Sequence, residues 1–162
     1  TRKESSAASD VYKRQRLNSD LEKPLDIYLT RYSDTLISLS DRTKLAKALK
    51  ADLFVSLHCN HSHNLDARGV EVYVADSQSN YLDDSTWFAY QLQEEFKKEL
   101  GFESRGVKFS NFQVLLETID YCPAVLFELG FLSSDDEAKY FSKKEKHNYI
   151  ALSILESIIK IK

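Results

Sequence analysis

No apolar run in this chain approaches the length of a membrane span, for which a helix needs about 20 consecutive apolar residues. The opening Thr-Arg-Lys-Glu-Ser-Ser-Ala-Ala-Ser-Asp has no hydrophobic centre of the kind a signal peptide carries. An excess of positive charge is also missing: 22 Lys and Arg stand against 25 Asp and Glu, a formal net charge of −3, with the lysines scattered among the acids. That balance argues against a nucleic-acid surface, and the absence of a polybasic tail argues against membrane binding. Two cysteines, Cys59 and Cys122, are too few and too far apart for a disulfide scaffold or a cysteine-built structural zinc site. There is no internal repeat, and no linker divides the chain.

What is present is enough for one core. With 162 residues, 43% hydrophobic and 29% charged, the chain suits a single globular domain. Residues 1–15 are rich in Ser, Ala and charge and carry no strand run, so they read as a poorly specified or non-native segment, and 16–162 as the domain. A short helical segment from Arg16 leads to Pro24, and Asp26–Arg31 reads as a first strand. Ser38–Lys50 spaces Leu39, Leu45, Ala46, Ala48 and Leu49 as an amphipathic helix with Ser38 or Ser40 as N-cap. Asp52–His58 follows as a second strand, and the helix between the two strands is a crossover that would make them parallel.

Gly69 opens Val70–Val74, an alternating strand with Glu71 and Tyr73 on one face. Asp83–Leu100 carries Trp87, Phe88, Leu92, Phe96 and Leu100 at helical spacing and predicts a core-facing helix closed by Gly101. Gly101–Gly106 reads as a loop and Phe112–Leu116 as a short strand. Cys122–Ser134 contains a continuous apolar run, Ala124 to Phe127, bounded by Pro123 and Gly130, which predicts a central strand covered on both faces. Two capping-box patterns, Ser134 to Glu137 and Ser142 to Glu145, predict the starts of two further helices. The class is therefore α/β, a mixed and mostly parallel twisted sheet with helices on both faces.

A carboxylate at the end of a buried strand needs a reason, because an unpaired one costs several kcal/mol, roughly. Glu128 is in that place, and His58 occupies the end of another predicted strand. Open α/β sheets hold their ligands at such carboxyl ends. An imidazole can ligate zinc, and a nearby carboxylate can take a proton from a zinc-bound water. The bland alternative for Glu128 is a salt bridge to a neighbouring Lys or Arg. The run His58-Cys-Asn-His61-Ser-His63 does not match the common zinc spacings and reads as a solvated loop.

Beyond these single residues, a set of motifs falls in order: Thr30-Arg31-Tyr-Ser-Asp34, Leu39 through Arg42, Ala51-Asp-Leu-Phe-Val-Ser-Leu-His58-Cys-Asn60, Arg68-Gly-Val-Glu-Val-Tyr73, Asn111-Phe-Gln-Val-Leu115 and Pro123-Ala-Val-Leu-Phe-Glu128-Leu-Gly-Phe-Leu-Ser133. Together they resemble the zinc-dependent N-acetylmuramoyl-L-alanine amidases of the bacterial cell wall, from about Ile27 to the C-terminus. The resemblance implies hydrolysis of the amide between N-acetylmuramic acid and the L-alanine of the peptidoglycan stem peptide. It further implies one zinc ion with His58 among its ligands, Glu128 as the catalytic glutamate, a monomer, and a periplasmic or extracellular workplace.

The family begins with a strand and an Asp-x-Gly-His-Gly loop carrying the first ligand, followed by a glutamate as the second. Neither strand nor loop occurs here, so the chain reads as truncated at its front, with an unpaired sheet edge as the consequence. Glu4 lies about where the second ligand would fall before Thr30, although the intervening residues lack the helical stripe expected there. Leu116 stands where relatives commonly have a basic residue. An inactive homologue or wall-binding module that keeps the fold without a complete zinc site is the alternative.

Overall fold

The computed structural model describes residues 25–33 and 35–160. Its centre is β4 (Ala124–Phe131), in which Ala124, Val125, Leu126, Phe127 and Leu129 are all buried, as a strand covered on both faces requires. On one side β4 pairs in parallel with β1 (Phe54–Asn60), and on the other it runs antiparallel to β2 (Val70–Val74). β3 (Ser104–Phe109) adds to β2 in parallel, giving the order β1-β4-β2-β3. The sheet is thus mixed and mostly parallel, with helices on both faces.

Alternation along the strands sends their side chains into two cores. On one face Val70, Val72, Val74, Val125, Phe127 and Leu129 meet α2 (Leu82–Leu100) and α5 (Lys144–Ile159) through Phe88, Leu92, Phe96, Ile150 and Ile154. The rings of Phe96 and Phe127 stand edge to face, 4.6 Å between centroids. Each such buried side chain is worth about 1.5–3 kcal/mol, so this face carries most of the apolar stabilisation. The second, smaller core lies on the opposite face. There Phe54, Ala124 and Leu126 are roofed by Ala46 of α1 (Leu39–Leu49) and by Val114, Leu115 and Ile119 in and after the one-turn helix α3 (Gln113–Leu116). A short helix, α4 (Asp135–Ser142), follows β4 directly.

Several sequence expectations fail for physical reasons. Asp26–Arg31 is not a strand, although Leu25 and Ile27 do pack on the larger core; a strand exists only through a ladder, and these residues form none with the described residues. The helix Ser38–Lys50 therefore leads into β1 with no strand before it among the described residues. Ser38 is its N-cap, accepting from the Asp41 N–H at 3.1 Å, but of its apolar residues only Ala46 is buried, together with Thr43. Phe112–Leu116 forms a helix because Val114, Leu115, Thr118 and Ile119 bury at helical spacing. The loop expected over Gly101–Gly106 contains the start of β3. Trp87 is 55% exposed and stacks on exposed Tyr90, while Phe88, Leu92 and Phe96 fill the core as expected.

Neither capping box forms. Ser134 caps α4 without a side-chain bond to the helix backbone, and α5 opens at Lys143 instead of Ser142. The segment 1–15, the helix from Arg16 and Glu4 lie outside the described residues.

Candidate active site

The roof over the smaller core stops short of the carboxyl ends of β1 and β4, and polar side chains take over there. His58 on β1 and Glu128 on β4 are register partners, and Glu128 is in turn the register partner of Glu71 on β2. Register partners share a face. The three therefore form a row across the sheet, on the side away from α2. Sequence reasoning placed His58 and Glu128 at strand ends, and the fold brings them side by side.

Glu128 sits in a poorly solvated setting. Its Oε2 is buried and has no hydrogen-bond partner among the described residues. Burial, and then the negative charge of Glu71, push its carboxyl up to about 7. The salt bridge considered for it is not formed among the described residues. Such a group exchanges a proton near neutrality, which is the property a general base needs. His58 is exposed, and its Nε2 lies 2.9 Å from the hydroxyl of Ser56, two residues back on the same face.

Glu71 has the opposite environment. It is 3% exposed, yet its Oε1 accepts from Arg105 Nε at 2.7 Å and Lys108 Nζ at 2.6 Å. Its Oε2 accepts from the Tyr73 hydroxyl at 2.8 Å and from Asn60 Nδ2 at 3.1 Å. Burial alone would raise its carboxyl, but the bonds from Lys108, Arg105 and Tyr73 outweigh that and hold it below the usual range. Tyr73 answers in the other direction, with burial and the bond to Glu71 pushing its phenol up to about 12. Two neighbouring carboxylates thus have divergent environments, the arrangement that separates a proton-transfer group from a fixed anion. The sequence signal for Glu71 was its place in an alternating strand, which by itself reads as a solvated face.

The positions of β2 and β4 are fixed by a third acid that sequence reasoning read as half of a capping box. Glu137 on α4 accepts from the Gly69 N–H at 2.7 Å and from the Phe131 N–H at 2.7 Å. Gly69 is required where it stands: its φ is +94°, and a Cβ there would lie 2.4 Å from the carbonyl oxygen of Glu103.

Among the described residues no three His, Cys, Asp or Glu side chains gather as a metal site would need. His61 and His63 are exposed and meet each other edge to face at 6.4 Å. The described residues offer one imidazole from the ligand set that the resemblance implies, whereas catalytic zinc uses three protein ligands. By themselves they do not fit the ion. A cavity of about 300 Å³, lined by Lys47, Lys50, Asp52, Tyr81 and Tyr121 among others, lies at the amino ends of β1 and β4, away from the row.

Comparison with known proteins bears on this geometry. Residues 3–160 match the protein family described as N-acetylmuramoyl-L-alanine amidase. The uncharacterized protein YqiI of Bacillus subtilis is 35% identical over 130 residues, 80% of this chain and 60% of that protein. The N-acetylmuramoyl-L-alanine amidase CwlM of Bacillus licheniformis is 34% identical over 115 residues, 71% of this chain and 42% of that protein. The chain thus spans less than two thirds of the length of these curated relatives. The catalytic domain of CwlV, an N-acetylmuramoyl-L-alanine amidase from Bacillus (Paenibacillus) polymyxa var. colistinus, superposes with a TM-score of 0.81 at 32% identity, over 97% of this chain and 83% of that one. With the ordered motifs, the mixed sheet and a match over nearly the whole length, this chain belongs to the N-acetylmuramoyl-L-alanine amidase family.

Proposed function

We propose that the chain is a cell-wall amidase catalytic domain that hydrolyses the amide between N-acetylmuramic acid and the L-alanine of the stem peptide. The observation that carries this reading is Glu128, a half-buried carboxyl balanced near neutrality beside His58, toward the carboxyl ends of β1 and β4. Glu128 takes the proton of the attacking water at its unpartnered Oε2. It returns a proton to the alanine nitrogen as the carbon–nitrogen bond breaks, leaving a lactyl carboxylate and a free peptide amine. Glu71, held ionised by its two cations, keeps the proton on its neighbour during that transfer.

The metal belongs to the same proposal. His58 would be one ligand of a single zinc ion, with Glu4, outside the described residues, a candidate for another. Zinc, when bound, lowers the pKa of water to about 7 and polarises a carbonyl. Peptidoglycan as substrate places the work in the cell envelope, periplasmic or extracellular, with the domain acting as a monomer.

Release of stem peptides with new N-terminal amines from purified peptidoglycan tests this assignment. Zinc-loaded chain is expected to release them, and Glu128→Gln to lose at least about a hundredfold of that rate. Equal release by both proteins would overturn the assignment. The incomplete ligand set among the described residues favours a second reading, a homologue that binds the wall without cutting it. Metal analysis separates the two: one tightly held zinc per chain, lost in His58→Ala, rejects the non-catalytic reading.

A further inference from the structure

The cations on Glu71 outnumber it. Arg105 and Lys108 converge on the same oxygen of one buried carboxylate, so the cluster carries one surplus positive charge. Glu128 does not absorb that surplus, since its buried Oε2 has no partner among the described residues and neither cation bonds to it. The two cations are also the accessible part of the cluster, with side chains 36% and 37% exposed over a carboxylate that is 4% exposed.

Both cations are held in place before any ligand arrives. Arg105 is fixed by Nε on Glu71, by Nη1 on the carbonyl oxygen of Arg68 at 3.3 Å, and by the ring of Phe131, 5.2 Å from its guanidinium carbon. That leaves Nη2 without a partner among the described residues. Lys108 stands 5.7 Å from the Tyr73 ring centroid and uses one of its three N–H groups on Glu71. Donors fixed in this way lose little freedom when they bind an anion, which is what makes a site of them.

We propose that Arg105 and Lys108 form a carboxylate-binding subsite next to Glu128, one that recognises an acidic group of the stem peptide just beyond the scissile amide. The inference rests on the amidase reading, because that reading puts a peptide across the open end of the sheet. Glu71 is then the positioning residue of the subsite. The surplus charge favours a substrate whose second stem residue carries a free carboxylate over one in which that group is a carboxamide.

The test is calorimetric titration of the whole chain, in chelator so that peptides stay uncut, with two synthetic muramoyl peptides that differ only in a carboxylate or a carboxamide on the second stem residue. The unsubstituted chain should bind the carboxylate form roughly tenfold more tightly, the size expected of one charge-assisted hydrogen bond. Lys108→Gln should bring the ratio of the two affinities close to one, and Lys108→Arg should keep it near tenfold. Circular dichroism and the melting temperature show that each variant is folded. Equal affinity for the two peptides, or a preference untouched by Lys108→Gln, overturns the subsite and leaves the amidase reading standing. Failure to bind either peptide also overturns the subsite, and the release assay with zinc-loaded chain decides the amidase reading separately.

Discussion

Glu71 and Glu128 face one another across the antiparallel β2–β4 pair, and among the described residues only Glu71 is supplied with cations. The same residue type at adjacent positions therefore has two fates. One carboxylate stays ionised, and the other is left to share its negative neighbour with little solvent.

The metal-free chain should show this in its pH dependence of stability. Glu128 keeps its proton to about 7 when folded, against an ordinary value of 4.5. Its contribution is complete below pH 4.5 and is lost as pH rises through 7, because the folded state binds the extra proton in that window. The loss is no more than about 2–3 kcal/mol. Urea unfolding at pH 5 and pH 8 in chelator is expected to show Glu128→Gln without that component, so the variant gains on the parent at the higher pH.

Glu71→Gln should act on two levels. It weakens two half-exposed ion pairs at a buried position, an expected cost of about 1–3 kcal/mol. It also removes the charge that helps raise Glu128, so the Glu128 carboxyl should titrate at lower pH. Carbon-13 NMR of that carboxyl in the metal-free variant reads this shift directly, and an unchanged midpoint would separate the two acids electrostatically.

Glu137→Ala should cost about 2–4 kcal/mol, since two buried backbone N–H groups lose their acceptor together. Amide exchange at Gly69 and Phe131 should quicken more than exchange at Phe88 or Leu92, which lie in the interior of α2. Uniform quickening would mean that the carboxylate is not a local anchor.

Two glycines with positive φ provide a matched comparison. Gly69→Ala drives a Cβ to 2.4 Å from a backbone oxygen, whereas a Cβ at Gly101, with φ +73°, meets nothing within 4 Å. Gly101→Ala should cost about 1 kcal/mol from conformation alone and Gly69→Ala clearly more. Melting temperatures of the two variants give the order.

His58 and Glu128 could be located in the sequence because each follows an apolar run that specifies a strand, although the strands continue past them to Asn60 and Phe131. Glu71 was visible only as half of an alternation, and its partners Arg105 and Lys108 sit in Ser104–Phe109, a strand polar enough to pass for a loop. Edge strands with one covered face give weak signals of this kind. Phe112–Leu116 reads as a strand and is a turn of helix, because a short apolar run carries no period long enough to separate the two. The capping-box reading of Glu137 had the right residue types, but the long-range demand of Gly69 and Phe131 for an acceptor outweighed the local one.

The alternation of β2 places Val70, Val72 and Val74 in the larger core and Glu71 and Tyr73 in the polar row. Structure and chemistry are thus written in a single reading frame five residues long. Losing one residue from it would turn a charged carboxyl toward Phe88, Phe96 and Phe127 and three valines toward water. A chain in the wrong register would lose its larger core and its polar row together.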